Sequence, residues 1–272
     1  MRIAALALAA FAVVTAAGAK GPYRNGLVAF VRCCGSGTGI YVVKPDGSGA
    51  RRIYLAAADD APLTPAWSPN GAQIAFVPGA PAGGLWVMQA NGSKQRRVTP
   101  GRGEPLFPSW STDGTRIVFA DRGGLYVVRT NGTGLKRLTT GADTNPVWAP
   151  NDSEIVFVRT RSLWRMNTDG THRRRLLANA TSPSWSPGAT RIAFVRNGDP
   201  WIANANGTGA KPVVRTPEND AAVVWSPDGR WLLTAQIDRG DLVLVRPDGS
   251  ATQPLTTEAD FFHAVPSWQP LH

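Results

Sequence analysis

The sequence predicts an all-β protein, a six-bladed β-propeller of four-stranded blades whose ring is closed by the C-terminal strand joining the N-terminal blade. Three observations predict it. The first is a returning string: "PAWSPNGAQIAF" from Pro65 comes back as "PSWSTDGTRIVF" from Pro108, "PVWAPNDSEIVF" from Pro146, "PSWSPGATRIAF" from Pro183 and "VVWSPDGRWLLT" from Val223. The second is a partner string present six times, from "IYVVKPDGSGARRI" at Ile40 and "LWVMQANGSKQRRV" at Leu85 to "LVLVRPDGSATQPL" at Leu242. Repeats near forty residues mark an array in which each unit buries its faces only against its neighbours. The third lies at the two ends, where "PSWQP" (266–270) stops short of its second strand while "NGLVAF" (25–30) lacks a first one. Joined, they restore one complete unit.

Taken in chain order, the first nineteen residues stand apart. Arg2, an apolar run from Ile3 to Val14 and small residues ending at Ala19 have the layout of a secretory signal peptide with an A-x-A cleavage site. The run is short and alanine-rich for a membrane span, so an uncleaved leader is the only expected contact with a membrane. The expected division is a signal peptide over 1–19 and the propeller over 20–272, with an exported destination: periplasm, cell envelope or medium. Arg2 is the leader's one charge, which leaves 28 Lys+Arg against 19 Asp+Glu, a net +9.

Within a unit, strand A ends at the Trp and a Ser-Pro-Asx-Gly turn leads to strand B, because Pro pre-sets φ and Gly or Asn accepts the left-handed conformation. A variable loop leads to strand C. An Asn-Gly or Asp-Gly pair, the strongest short hairpin signal, then leads to strand D. Strands B and C are apolar on both sides of the alternation (Ile74-Ala75-Phe76-Val77; Tyr126-Val127-Val128), as strands covered on both faces must be. Strand A carries Pro two residues before its Trp in five of the six copies; Pro lacks the donor of a central strand, so strand A is an edge. Strand D carries Arg51-Arg52, Arg96-Arg97, Lys136-Arg137 and Arg173-Arg174-Arg175, charges that discourage edge-to-edge pairing, and is the other edge. No stretch has sustained helical periodicity.

The pattern P-x-W-S-P-D-G-x-x-I-A-F followed by I-Y-V-M-x-x-D-G resembles the WD40-like PD40 repeat of TolB-type propellers, also seen in prolyl oligopeptidase-like enzymes. The resemblance covers about the whole chain after the leader and implies the fold. It carries neither activity across, since the N-terminal domain of TolB that engages the Tol envelope machinery has no expected counterpart here and neither does a peptidase domain.

Candidate sites follow from the layout. The B–C and D–A connections share one rim, and because they vary while the short turns repeat, recognition is expected there. The D–A loops hold Asp59, Asp60, Glu104, Asp143, Glu218, Asp220, Asp260 and His263 just ahead of the inner strands. Converging on the channel mouth, they form an acidic collar able to hold a divalent cation or a basic peptide; the plainer reading is loop capping. Arg122, Arg161, Arg196 and Arg239 in the B–C loops make the rim one of mixed charge, suited to a protein partner.

The basic strand-D pairs are spread around the circumference and read as a solvated protective edge, so nucleic acid is not an expected partner. Trp67, Trp110, Trp148, Trp185, Trp225 and Trp268 occupy one repeat position and read as inter-blade packing. The adjacent Cys33 and Cys34, with Cα atoms about 3.8 Å apart, would make a strained disulfide, and with no further Cys and three His no zinc site is expected. No G-x-S-x-G elbow is present. The expectation is a monomeric, non-catalytic scaffold without a cofactor, binding an envelope or extracellular protein or peptide through its rim. The alternative is a carbohydrate- or lactone-acting propeller enzyme that uses the channel-mouth acids, with or without the cation.

Overall fold

A computed structural model describes residues 25–32, 38–56, 63–78, 82–100, 103, 105–215, 219–256 and 266–270. The twenty-four strands among them form six antiparallel four-stranded sheets. Blade 1 holds β1 (Val28–Arg32), β2 (Gly39–Val43) and β3 (Arg51–Leu55); blade 2 holds β4 (Leu63–Trp67), β5 (Gln73–Val77), β6 (Trp86–Gln89) and β7 (Arg96–Arg97). Blade 3 is β8 (Leu106–Trp110), β9 (Arg116–Asp121), β10 (Gly124–Arg129) and β11 (Lys136–Arg137). Blade 4 is β12 (Thr144–Trp148), β13 (Glu154–Arg159), β14 (Ser162–Asn167) and β15 (Arg174–Leu177). Blade 5 is β16 (Thr181–Trp185), β17 (Arg191–Arg196), β18 (Asp199–Asn204) and β19 (Lys211–Pro212), and blade 6 is β20 (Asp220–Trp225), β21 (Leu232–Gln236), β22 (Asp241–Val245) and β23 (Thr252–Pro254). The last strand, β24 (Ser267–Trp268), returns to blade 1 and pairs with β1, Trp268 opposite Val28. The expected all-β ring and its closure by the C-terminal strand are therefore the observed architecture.

The closing contact is more than a two-residue ladder. The Gln269 backbone N–H donates to the Leu27 carbonyl at 2.7 Å, the Gln269 side-chain oxygen accepts from the Leu27 N–H at 2.9 Å, and its amide nitrogen reaches across to the Gly71 carbonyl of blade 2 at 2.9 Å. One side chain thus ties together the first strand, the last strand and the next blade.

Six apolar clusters make up the core, one in each wedge between adjacent blades, including the wedge between blade 6 and blade 1. Strand B supplies the deepest side chains: Phe30, Phe76, Phe119, Phe157 and Phe194 are fully buried at one repeat position, each a contribution of about 1.5–3 kcal/mol. Blade 6 places the buried Thr234 there instead. Each of Trp67, Trp110, Trp148, Trp185, Trp225 and Trp268 lies in a different one of the six clusters, packed against the preceding blade. Two of them carry a guanidinium from that blade, Arg116 over Trp148 at 4.8 Å and Arg191 over Trp225 at 4.9 Å, close enough for a cation–π attraction.

The glycine of the C–D turn answers to a long-range contact as well as to its own backbone. Gly47, Gly92, Gly132, Gly170, Gly207 and Gly249 all have positive φ. A Cβ on any of them would meet a strand-D or following carbonyl of the preceding blade: Ile53 for Gly92, Val98 for Gly132, Leu138 for Gly170, Leu176 for Gly207, Val213 for Gly249 and Leu255 for Gly47. For the last five the gap is between 2.5 and 3.2 Å. The turn therefore tucks under its neighbour, all the way round the ring, and only glycine fits.

The Asx residues before these glycines hold the turns shut. Asp46, Asp169 and Asp248 accept backbone N–H bonds from Ser48, Thr171 and Ser250 at 2.9 Å. Hydroxyl and backbone donors of those same residues lower the three carboxyl pKa values. In the A–B turn of blade 3 the Ser111 hydroxyl and the Thr115 N–H likewise bring Asp113 down to about 2.

Candidate functional site

Strand A carries a local feature that the repeat pattern did not announce. In blades 2 to 5 the register of strand A slips by a bulge between Leu63 and Ala66, Leu106 and Ser109, Thr144 and Val147, and Thr181 and Ser184. The residue before proline in each, Thr64, Phe107, Asn145 and Ser182, has φ between 47° and 53°. Proline cannot donate to the ladder, so the chain inserts a residue and turns it left-handed, at about 1–3 kcal/mol for a non-glycine residue. Only Asn145 belongs to a type that tolerates this readily, which is why no sequence signal pointed to it.

These bulged strands line the central channel, a cavity of about 310 Å³. Pro65, Pro108, Pro146, Pro183 and Pro266 face it together with Trp67, Trp110 and Trp148. The next position inward alternates: Ser267, Ser109 and Ser184 in blades 1, 3 and 5, but Ala66, Val147 and Val224 in blades 2, 4 and 6. Each of the three serines accepts the backbone N–H of the repeat Trp one blade on, at 3.0–3.1 Å: Ser267 from Trp67, Ser109 from Trp148, Ser184 from Trp225. Strings reading P-S-W in alternate units carried that signal. The described lining holds hydroxyls and one amide but no ionisable side chain.

The collar is seen only in part. Asp59, Asp60, Glu104, Glu218, Asp260 and His263 lie outside the described residues, as do Cys33, Cys34 and the leader. Asp143 and Asp220 occupy one repeat position, five residues before their Trp, and both are buried. They are not brought together, because blade 5 stands between their blades with Ala180 at the equivalent place.

Asp143 is committed to a neighbour: its two carboxylate oxygens accept from Arg159 Nε and Nη2 at 2.7 Å each. Those bonds push the Arg159 guanidinium further up than usual, the hydrogen bond outweighing the burial that opposes it. Arg159 also lies over the rings of Trp164 at 5.2 Å and Phe157 at 5.5 Å. Asp220 heads β20, and its N–H donates to the Gly198 carbonyl at 2.8 Å. Among the described residues, no group of three or more His, Cys, Asp or Glu is placed to hold a metal ion.

Of the expected rim arginines, Arg196 holds a loop, while Arg122, Arg161 and Arg239 are exposed. Arg196 is the last residue of β17 and not a free loop residue; its guanidinium donates to the Ala178 and Asn179 carbonyls at 3.0 and 3.1 Å while lying over Trp201 at 4.7 Å. Arg159, which sequence reading missed, plays the same part at the end of β13. Its signal was the shared ending Phe-Val-Arg at Arg32, Arg159 and Arg196. D–A and B–C loops of one blade are also joined by backbone bonds, Ala180 to Arg161 at 2.9 Å and Ile237 to Asn219 at 2.8 Å, so the two loop sets do share a rim.

Solved structures reproduce this ring. A TolB from Acinetobacter baumannii superposes with a TM-score of 0.75 at 20% identity, covering 90% of this chain and 67% of that one. A chain of a nidogen/laminin complex gives 0.77 at 11% identity over 89% and 98%, and a putative TolB from Agrobacterium tumefaciens gives 0.69 at 16% identity over 91% and 99%. Identities this low speak for the fold alone. No curated protein matches the chain. The family profile described as the TolB beta propeller domain matches residues 15–272, and with the repeat, the six blades and the closing strand in agreement, the chain belongs to the TolB-type β-propeller family.

Proposed function

We propose that this propeller is an exported, non-catalytic scaffold that binds a protein or peptide through its loop rim, with a side chain of the partner entering the channel. The observation that carries this reading is the channel itself. Seven prolines, three indoles and four valine or alanine positions surround a cavity of about 310 Å³, enough for an uncharged side chain and its backbone. Ser109, Ser184 and Ser267 each spend a lone pair on a Trp N–H, which leaves the hydroxyl proton for a guest. Catalysis by general acid and base asks for titratable groups within reach of the substrate, and the described lining has none. Proteins of the same fold are found in complexes, as the nidogen/laminin structure illustrates. Export rests on the signal-peptide layout of residues 1–19.

The test is a selection of displayed random peptides against the ring and against a V147F/V224F variant that fills the channel from two blades. Peptides that bind the native ring, compete with one another and lose binding at least tenfold on the filled ring, at equal melting temperature, support the reading. Equal binding to both rings, or no peptide enriched on the native one, overturns it.

A further inference from the structure

Blade 4 breaks the repeat at several places that meet on one face. Arg165 pairs with Val156 across the sheet, and the equivalent strand-C residues in the other blades are Val42, Val87, Val127, Ile202 and Leu244. Those aliphatic side chains each join the cluster shared with the following blade. Arg165 puts a cation where every sister blade puts core. Its cross-strand neighbour on β15 is Arg174, like charge directly opposite like charge, which by itself destabilises a sheet.

One carboxylate faces the pair. Arg165 Nη2 bonds Glu154, which is itself buried, and Arg174 makes no ion pair or hydrogen bond among the described residues. The face keeps an uncompensated positive charge.

His172 completes the arrangement. It stands at a left-handed backbone position, φ 52°, which the sister hairpins give to Gly49, Gly134 and Gly209 and, in blade 2, to another basic residue, Lys94. Asn167 Nδ2 lies 2.9 Å from His172 Nδ1 and has only protons to offer, while the Thr171 hydroxyl donates to Asp169. Facing an amide N–H, Nδ1 serves as the acceptor, which leaves Nε2 as the ring's donor. Arg165, Arg174, His172, Asn167, Met166 and Glu154 enclose a cavity of about 250 Å³ on the outer part of the blade, well away from the channel.

We infer that this cavity is a binding site for a small tetrahedral oxyanion, a phosphoryl group. Two guanidinia from adjacent strands and the His172 ring line this one cavity, the donor types that recognise phosphate. A bound dianion would neutralise the Arg165–Arg174 repulsion that the empty face carries. Glu154 holds Arg165 in place between visits.

Calorimetric titration of the whole protein with inorganic phosphate at low salt tests it. Saturable one-site binding is expected, weakened at least tenfold by R174A and unchanged by R175A. The two arginines are adjacent on the same exposed edge but pair with Arg165 and Trp164 respectively, so they present to opposite faces. R174A removes an exposed side chain of an edge strand and its repulsion with Arg165, and a cooperative melt at or above the native temperature confirms that the variant is folded. Absence of saturable binding overturns the site. So does an equal loss in R174A and R175A, which would report the general charge of the edge. Vesicles containing phosphatidate that bind where inorganic phosphate does not would overturn it too, because the edge would then be a headgroup surface with no pocket.

Discussion

At the scale of single residues, the rim holds a buried carboxylate on a guanidinium, Asp143 on Arg159. Asp143 is 2% exposed and both its oxygens are held by Arg159, so removing the arginine strands a buried carboxylate. Breaking a buried pair costs about 3–5 kcal/mol, and the 29% exposure of the Arg159 side chain puts R159A near the lower end, about 3 kcal/mol by urea denaturation. The double variant D143A/R159A leaves no such charge and is expected to be more stable than R159A. A double variant less stable than the single one would show that the pair does not hold the loop. From sequence, Asp143 read as a collar member because its loop position was legible. Its partner was not, since Arg159 lies sixteen residues on, and only the pairing of β12 with β13 sets the two side by side. The left-handed Thr64 and Phe107 were illegible for a different reason: β-branched and aromatic residues argue against positive φ locally, and the ring imposes it.

At the scale of elements, the hairpin glycines were legible as turn residues and illegible as packing residues. Asn91-Gly92 announces a hairpin, yet its Cβ-less edge also lets blade 1 lay the Ile53 carbonyl against it. G92A is therefore expected to cost about 1–3 kcal/mol, since the new side chain meets both a positive φ and a neighbouring strand. G141A is the comparison: Gly141 also has positive φ, 112°, but nothing lies within 4 Å of its Cβ position. If the two variants melt alike, the inter-blade contact adds nothing beyond turn strain. The blade 4 edge illustrates the same divide. Leu163-Trp164-Arg165-Met166 beside Leu85-Trp86-Val87-Met88 displays the departure openly, but which wedge the arginine faces follows only from its register with Val156 and Arg174.

At the scale of the molecule, closure rests on five described residues at the C-terminal end, and it was the most legible feature because two incomplete strings completed each other. Removing residues 266–272 takes away β24, Gln269 with its bonds to Leu27 and Gly71, and the Ser267 acceptor for Trp67. The truncated protein is expected to lose its cooperative melt or to associate through the bare edge of β1, measured by calorimetry and size-exclusion chromatography. A monomer with the native transition would show that the other wedges suffice. The alternation of Ser with Ala or Val at the innermost position was in plain sight as P-S-W against P-A-W and P-V-W, although its meaning needed the ring. It lowers the rotational order of the bore from six to three. A guest turned by 60° trades the Ser109, Ser184 and Ser267 hydroxyls for the alkyl groups of Ala66, Val147 and Val224, whereas one turned by 120° meets a serine again at each of those three places, so a ligand held by these hydroxyls alone can engage them in three ways.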